Sequence, residues 1–236
     1  MADNLRVVIA AAGTGSRMGG KVNKQYMLLN KRPILTYSLD SFEQSSLVDE
    51  ILIVAKPEET DYCRQEIVER YKYRKVSKVV AGGKERQDSV WAGLQELYNN
   101  GTDYVAVHDG ARPLFSSDLL QALFTEAQQW GAAIPGVFAR DTLKTVDHNN
   151  FVDQTLDRTC IIAVQTPQIF NYSQLYSAYE QAFRENFQGT DDAVLYEKFI
   201  GQVKVVTGEP ANLKITTPED LIIAESHLKF RHIRRI

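Results

Sequence analysis

A short, uninterrupted apolar run near the start of the chain, residues 7–12 (VVIAAA), constrains the fold more than any other feature of the sequence. It is too short for an isolated helix and is followed by Gly13, a pattern typical of a strand buried on both faces of a parallel sheet. The loop beyond it is rich in glycine and carries Arg17 and Lys21, with Lys24 just after it. Glycine lets backbone N–H groups approach an anion closely, and the cations neutralise its charge. We therefore predict that this strand leads into a binding site for a nucleoside triphosphate.

The loop matches neither of two better-known glycine motifs that bind phosphate. The dinucleotide fingerprint G-x-G-x-x-G requires a third glycine where this chain has Met18. The phosphate loop of ATPases requires Ser or Thr after its lysine, whereas Val22 follows Lys21. The alternative is an ordinary strand-to-helix turn whose basic residues face water. The placement of Arg17 and Lys24 on either side of one loop favours the phosphate site.

Composition excludes several classes of function. The chain has 236 residues and a net charge of −3, so no global basic field is available to attract nucleic acid. No apolar run approaches the roughly 20 residues of a membrane-spanning helix, and the first strand begins without a signal segment. The two cysteines, Cys63 and Cys160, are far apart and are interpreted as structural thiols in a reducing compartment. We expect a cytoplasmic protein that binds neither nucleic acid nor membrane.

Predicted strands and helices alternate along most of the chain. Strands are predicted over residues 50–55, 76–80, 104–107, 132–138 and 203–207. Helices are predicted over residues 33–42, 86–97, 118–130 and 173–184, after Pro57, after Thr190 as N-cap, and from Pro218 onward. This alternation is typical of an α/β fold with a doubly wound, mostly parallel sheet, here a single domain over residues 1–236.

Three strand ends carry conspicuous glycines and charged residues, namely residues 13–20, 82–89 and 108–113. In doubly wound sheets ligands bind beyond the carboxyl ends of the strands, near a topological switch point. We therefore expect these three segments to meet around one crevice.

The segment over residues 140–157 interrupts the alternation. Residues 142–146 and 151–156 resemble two short strands, with residues 148–150 as the turn of a β-hairpin. An isolated hairpin is marginally stable in water, so it needs a surface to pack against. We expect a second subunit to supply that surface, which gives a homodimer; edge strands of the same subunit are the alternative.

Taken together, these segments resemble the family of 2-C-methyl-D-erythritol 4-phosphate cytidylyltransferases, over nearly the whole chain and in the family's order. The matching segments are AAGTGSRMG (11–19), KQY (24–26), AGGKERQDSV (81–90), VHDGARP (107–113), DTLK (141–144), LDR (156–158), QTPQIF (165–170), TDDA (190–193) and NLKITTPEDL (212–221). The ribitol-5-phosphate cytidylyltransferases are similar at the glycine loop and at KITTPEDL. They tend to differ at RQDSV and HDGARP, which favours methylerythritol phosphate here.

The resemblance implies a Rossmann-like nucleotidyltransferase fold with a protruding β-hairpin dimerisation arm. It also implies that CTP and a sugar-alcohol phosphate give a CDP-alcohol and pyrophosphate, with Mg²⁺ as cofactor. A phosphate monoester has its second pKa near 6, so it is mostly dianionic at neutral pH and can attack without a general base. This agrees with a sequence in which no Ser/His/Asp or Cys/His nucleophile constellation is recognisable. A nucleotide-sensing module that has lost turnover is the non-enzymatic alternative.

The resemblance also implies roles for individual residues. The residues expected to act on the phosphates during the reaction are Arg17, Lys24 and Lys214. Those expected to bind the nucleotide are Ala11, Ala12, Gly13, Thr14, Gly15, Gly82, Gly83, Ser89, Asp109 and Gly110. Those expected to bind the alcohol phosphate are Asp109, Arg112, Thr142, Arg158, Thr166, Thr190 and Lys214.

Three of these assignments have structural alternatives. Asp109 is the expected Mg²⁺ ligand or ribose contact, but an Asp at a strand end also commonly caps a turn. Arg158 is expected to reach the substrate phosphate from the other subunit's arm, and a surface arginine in a loop is the alternative. Arg112, like Arg86, is also interpreted as a residue that orders the loops around the site.

Overall fold

The computed structural model describes residues 3–13 and 23–233. Its strands are β1 (Leu5–Ala11), β2 (Leu28–Leu29), β3 (Arg32–Pro33), β4 (Val48–Ala55), β5 (Val76–Ala81), β6 (Tyr104–Asp109), β7 (Ala132–Phe138), β8 (Lys144–Val146), β9 (Val152–Thr155), β10 (Ile162–Val164), β11 (Gln168–Asn171) and β12 (Lys204–Thr207). Its α-helices are α1 (Ile34–Gln44), α2 (Thr60–Tyr62), α3 (Arg86–Glu96), α4 (Ser117–Trp130), α5 (Tyr172–Arg184), α6 (Asp192–Phe199) and α7 (Pro218–Ile233). Shorter helical turns are Lys24–Tyr26, Pro57–Glu59 and Arg158–Cys160, and a π-helical segment, Cys63–Glu69, follows α2.

Most strands of the described residues form one sheet in the order β10-β7-β11-β6-β1-β4-β5, with β12 paired to β7. Strand β1 lies between β4 and β6 and is parallel to both, and β4 is parallel to β5. Strand β12 is parallel to β7, whereas β10 and β11 are antiparallel to their neighbours. The sheet is therefore mostly parallel on the side that contains the glycine-rich strand end, as predicted.

Helices cover both faces of the sheet because the central strands are apolar on both sides. Val7 and Ile9 of β1 pack into one core cluster, which includes residues of α1 and α4. Val8 packs into the opposite cluster, with residues of α3, α5 and α6. All three valine and isoleucine side chains are completely buried. This confirms the doubly wound α/β fold.

The segment around Thr166–Pro167 contains two strands that were not predicted from the sequence. The Thr166–Pro167 peptide bond is cis and lies between two strands, β10 and β11. Each strand has only three or four residues, too few to show a clear hydrophobic period beside a proline. As a result both strands escaped prediction, although β11 fills the gap between β6 and β7.

The predicted arm is present as a two-stranded antiparallel sheet, β8 and β9, separate from the main sheet. Its turn is closed by Asp147, whose Oδ1 accepts hydrogen bonds from the backbone N–H groups of Asn149 and Phe151. Strand β8 begins at Lys144, two residues later than predicted. The side chains of Val146, Phe151 and Val152 are exposed, Phe151 by 72%.

The predicted start is confirmed for helix α7 and is wrong for helix α6. Helix α7 begins at Pro218, as predicted. Thr190 is not the N-cap of α6, because Asp191 occupies that position and its carboxylate accepts a hydrogen bond from the N–H of Val194. An aspartate caps a helix at least as well as a threonine does. In the described part of the chain, no helix combines the length and apolar character needed to cross a membrane.

Candidate active site

A cavity of about 260 Å³ lies where the carboxyl ends of β1 and β6 meet the N-terminus of α3. Its lining includes nine of the residues predicted to act on or bind the nucleotide: Ala11, Ala12, Gly13, Lys24, Gly83, Ser89, Asp109, Gly110 and Lys214. The remaining lining residues are Ala10, Gln25, Lys84, Glu85, Arg86 and Ala111. We call this space the nucleotide cavity. Arg17, Thr14 and Gly15, which the sequence places in the same site, lie outside the described residues.

Gly82 does not line the nucleotide cavity but packs behind its wall. A Cβ atom at this position would lie 2.7 Å from Oγ of Ser89 and 2.9 Å from Cβ of Ala12. Ser89 is buried, and its hydroxyl donates to the carbonyl of Glu85, 3.1 Å away. The glycine therefore allows β5 and α3 to bring Ser89 close to the end of β1.

A second cavity, of about 450 Å³, adjoins the first. Three residues line both cavities, namely Arg86, Asp109 and Lys214. The other lining residues are Arg112, Ile134, Val164, Gln165, Thr166, Gln168, Thr190, Asp191, Ala193, Val194 and Glu197. Because five of the residues predicted to bind the alcohol phosphate (Asp109, Arg112, Thr166, Thr190, Lys214) belong to it, we call this space the acceptor cavity.

Thr142 and Arg158 are the two predicted acceptor residues that the structure does not bring to this cavity. Both are exposed and lie at the base of the arm. Nη1 of Arg158 donates a hydrogen bond to the carbonyl of Arg140 at 2.6 Å. In the described chain they therefore do not line the cavity that contains the other five.

Asp109 is the centre of charge on the shared wall. Its Oδ2 lies 2.7 Å from Nζ of Lys214, and its Oδ1 lies 3.0 Å from Nε of Arg86. Nε of Arg112 is 3.8 Å from Oδ2. Burial by itself raises the pKa of the Asp109 carboxyl, but Arg86, Lys214 and Arg112 more than offset this and hold the pKa well below its usual range. The residue is therefore a carboxylate at any physiological pH.

The guanidinium of Arg86 is held between two carboxylates. Its Nη1 and Nη2 lie 3.1 and 2.7 Å from the two oxygens of Asp192, a bidentate contact, while Nε contacts Asp109. Asp192 is fully buried and also accepts a hydrogen bond from the hydroxyl of Tyr179 at 2.5 Å. The expectation that Arg86 orders the loops of the site is consistent with these contacts.

Sequence reasoning did not assign Asp192 or Tyr179. In the sequence Asp192 is the second aspartate of the segment TDDA, which was interpreted as the start of a helix. Nothing in the sequence pairs residue 192 with residue 86, because the contact joins two helices that are 106 residues apart.

His108 supports the wall from behind. Its ring is completely buried, with Nε2 3.0 Å from the carbonyl oxygen of Arg112 and Nδ1 3.1 Å from Oγ1 of Thr166. The same threonine hydroxyl accepts a hydrogen bond from the backbone N–H of Asp109 at 3.0 Å. Burial lowers the pKa of His108 to about 3, an effect that nearby Asp109 opposes. The ring is therefore neutral and structural.

The site can give a metal ion few carboxylate ligands. In the described ranges, 3–13 and 23–233, no group of three or more His, Cys, Asp or Glu side chains is arranged as a metal site. Asp109 offers one carboxylate, which is sufficient for Mg²⁺ because this ion usually keeps several waters and binds substrate phosphates. Both oxygens of Asp109 contact protein cations, but each carboxylate oxygen has a second lone pair that can bind a metal ion beside those contacts.

Comparison with known proteins assigns the chain to a family. The family model described as IspD, 2-C-methyl-D-erythritol 4-phosphate cytidylyltransferase, matches residues 5–230. A protein of that name from Caldanaerobacter subterraneus subsp. tengcongensis is 41% identical over 226 residues, which cover 96% of this chain and 99% of the relative. One from Clostridium botulinum is 44% identical over 218 residues, covering 92% and 96%.

Solved structures lead to the same family. The 4-diphosphocytidyl-2C-methyl-D-erythritol synthase of Anaerococcus prevotii superposes with a TM-score of 0.84 at 32% identity, over 96% of this chain and 99% of that one. The 2-C-methyl-D-erythritol 4-phosphate cytidylyltransferase of Francisella tularensis gives a TM-score of 0.80 at 33% identity, over 94% and 98%. The chain therefore belongs to the 2-C-methyl-D-erythritol 4-phosphate cytidylyltransferase family.

Proposed function

We propose that the protein transfers the cytidylyl group of CTP to 2-C-methyl-D-erythritol 4-phosphate. The products are 4-diphosphocytidyl-2-C-methyl-D-erythritol and pyrophosphate, in the non-mevalonate route to isoprenoids. One observation carries the proposal: two adjoining cavities share Arg86, Asp109 and Lys214 as a common wall. Such a wall suits a reaction that joins two anionic substrates.

The main obstacle to this reaction is charge repulsion between the triphosphate and the attacking phosphate. The acceptor phosphate is mostly dianionic at neutral pH because its second pKa lies near 6, so no general base is required. The protein must instead hold the two substrates in line and stabilise charge at the phosphorus centre. Cations on the shared wall, rather than a nucleophilic side chain, are therefore the expected machinery.

Lys214 is the cation best placed to act on both substrates, because its side chain lines both cavities. We assign it to bridge the α-phosphate of CTP and the incoming phosphate. Lys24 lines the nucleotide cavity alone, and we assign it, together with Arg17, to the triphosphate and the departing pyrophosphate.

The nucleotide cavity suits a cytosine base because Ala11–Gly13 and Gly83, whose side chains are small or absent, form part of its wall. Backbone donors and acceptors can match the edge of cytosine, and Ser89 lies beside them. The amide of Gln25 donates to the carbonyl of Ala11 and so stabilises this strand end.

Enzymes of this family generally use a divalent metal ion, and we propose that the ion here is Mg²⁺. Asp109 is the residue that would hold it, with water and triphosphate oxygens completing the coordination. When bound, the ion neutralises part of the triphosphate charge.

We further propose that the protein is a homodimer in which the arm of one subunit completes the acceptor cavity of the other. The exposed apolar residues of the arm, Val146, Phe151 and Val152, support this assignment because a two-stranded hairpin is marginal alone. Thr142 and Arg158 lie at the base of the arm, so an exchanged arm would explain why they stand apart from the acceptor cavity within one subunit.

The experiment that tests the proposal is turnover of two alcohol phosphates measured side by side. CTP, Mg²⁺ and purified protein are mixed with either 2-C-methyl-D-erythritol 4-phosphate or ribitol 5-phosphate, and pyrophosphate and the CDP-alcohol are quantified. We expect a much higher kcat/KM for the first. A preference for ribitol 5-phosphate would overturn the substrate assignment, and CTP binding without pyrophosphate release would indicate a nucleotide sensor instead. The relatives compared above give no support to the ribitol alternative.

A further inference from the structure

The contact between Arg86 and Asp192 joins the N-termini of two helices. Arg86 is the first residue of α3, and Asp192 is the first residue of α6. A cation at a helix N-terminus is electrostatically unfavourable, whereas a carboxylate there is favourable. Asp192 therefore offsets an unfavourable position of Arg86. Asp192 is itself fully buried, where an unpaired charge would be costly.

The hydrogen bonds of the Arg86 guanidinium are divided between two carboxylates. Of its five N–H donors, three are used in the structure: two on Asp192 and one on Oδ1 of Asp109. The planar fork faces Asp192 and can turn only slightly without losing that bidentate contact. Tyr179, whose ring is stacked on Trp91, adds a hydrogen bond that fixes the Asp192 carboxylate in turn.

This division leaves one oxygen of Asp109 for Lys214. If Asp192 lost its charge, Asp109 would become the main counter-charge of Arg86. The guanidinium would then compete for both oxygens of Asp109, and Lys214 would lose the partner that holds its Nζ at 2.7 Å on the shared wall.

We propose that Asp192 is a positioning residue for cytidylyl transfer, which fixes the Arg86 fork so that Arg86 holds Oδ1 of Asp109 and leaves Oδ2 to Lys214. The inference rests on the proposed function, since Lys214 is the cation assigned to both phosphates. Asp192 itself lines neither cavity and acts through Arg86.

The first test is the substitution Asp192→Asn, which keeps the shape of the side chain and removes its charge. We expect kcat to fall on the order of 10²-fold, because a small displacement of a group that acts on the transition state has an effect of this size. The KM values for CTP and for the alcohol phosphate should change much less. A folded Asp192→Asn protein with wild-type kcat would overturn the proposal.

A matched control is Asp40→Asn, which breaks an Arg–Asp pair far from both cavities. Asp40 contacts Arg32 at 2.9 Å and accepts a hydrogen bond from Tyr73. This variant should lower the Tm and leave kcat per folded molecule unchanged. Comparison of the two variants separates the general effect of losing an Arg–Asp pair from the specific effect of losing the Arg86–Asp192 pair.

A double-mutant cycle with Arg86→Lys tests whether Asp192 acts through Arg86. Lysine keeps the charge but cannot bind two carboxylates as a fork. In the Arg86→Lys background, Asp192→Asn should reduce kcat by far less than it does in the wild type. The same fold reduction in both backgrounds would contradict the proposal.

If Asp192→Asn does not fold, Tyr179→Phe provides the decisive measurement. It removes the hydroxyl that donates to Asp192 and keeps the ring on Trp91. We expect a fall in kcat of about fivefold, corresponding to one hydrogen bond, with a Tm near that of the wild type. An unchanged kcat in this variant would then overturn the proposal. Wild-type turnover of CTP with the alcohol phosphate is measured in parallel, so that failure of the proposed function would appear there and not in the variants.

Discussion

Nζ of Lys214 lies 2.7 Å from Oδ2 of Asp109, on the wall that the nucleotide and acceptor cavities share. The pair brings together a lysine from a loop near the C-terminus and an aspartate from the end of β6. It is the structural basis for assigning Lys214 to both substrates.

Replacing Lys214 or Lys24 by alanine should reduce kcat strongly, on the order of 10²-fold or more, if each lysine stabilises the transition state. The measurement is steady-state formation of the CDP-alcohol with both substrates at saturating concentrations. Lys204→Ala is the control, because Lys204 lies over the ring of Trp130 and lines neither cavity. Near-normal kcat in either test variant would show that the role assigned to that lysine is wrong.

Protein stability should depend on pH through His108. Burial lowers the pKa of His108 to about 3 in the folded state, whereas histidine in an unfolded chain has a pKa near 6.5. Between these values the unfolded state binds more protons, so the free energy of unfolding falls as the pH falls, by up to about 1.4 kcal/mol per pH unit. The contribution of His108 is complete above pH 6.5 and is lost on the way down to about pH 3.

Urea unfolding at pH 7 and pH 5 measures this effect in a window where carboxylates such as Asp109 stay largely ionised in the unfolded chain. His108→Phe is the comparison, because its ring can keep the contacts with Phe42 and Phe115. We expect the difference in stability between the two pH values to be smaller in the variant. An equal difference in both proteins would argue against a neutral, buried His108.

The glycine behind the nucleotide cavity should not tolerate a side chain. In Gly82→Ala the new Cβ would lie 2.7 Å from Ser89 and 2.9 Å from Ala12, so we expect a loss of roughly 1–3 kcal/mol in unfolding free energy and weaker CTP binding. Gly201→Ala is the matched control, since no atom lies within 4 Å of its new Cβ. Chemical denaturation and CTP titration check both variants, and equal stability of the two would contradict this packing argument.

The exchanged arm predicts that two defective subunits can restore activity. Arg158→Ala should raise the KM for the alcohol phosphate and leave CTP affinity similar, because the arm reaches only the acceptor cavity in the proposed dimer. Mixing Arg158→Ala with Lys214→Ala subunits should then give one competent site in each mixed dimer. Absence of any recovery after subunit exchange, verified by sedimentation, would count against a shared site.

The sequence predicted those features that depend on local patterns. The run over residues 7–12 indicated a doubly buried strand because its apolar residues have no polar alternation, and Val7 and Val8 do pack on opposite faces of the sheet. The glycines and cations at strand ends indicated a crevice, because parallel strands all end at one edge of a sheet. Each of these signals is contained in a segment of only a few residues.

Features that depend on distant residues could not be predicted in the same way. Strands β10 and β11 are recognisable only through their partners β6 and β7, since they have only three and four residues. The cap of α6 shifted from Thr190 to Asp191 because two neighbouring residues have nearly equal capping ability. The Arg86–Asp192 contact required the packing of two helices, which no local pattern specifies.

The wall that the two cavities share also bears on inhibitor chemistry. Because Arg86, Asp109 and Lys214 border both spaces, two weakly binding fragments on either side of them would be separated by a single layer of side chains. Joining such fragments with a short linker makes the second binding event intramolecular and saves much of its entropic cost. A linker that places a negative charge beside Lys214 would in addition mimic the point at which the two substrates are joined.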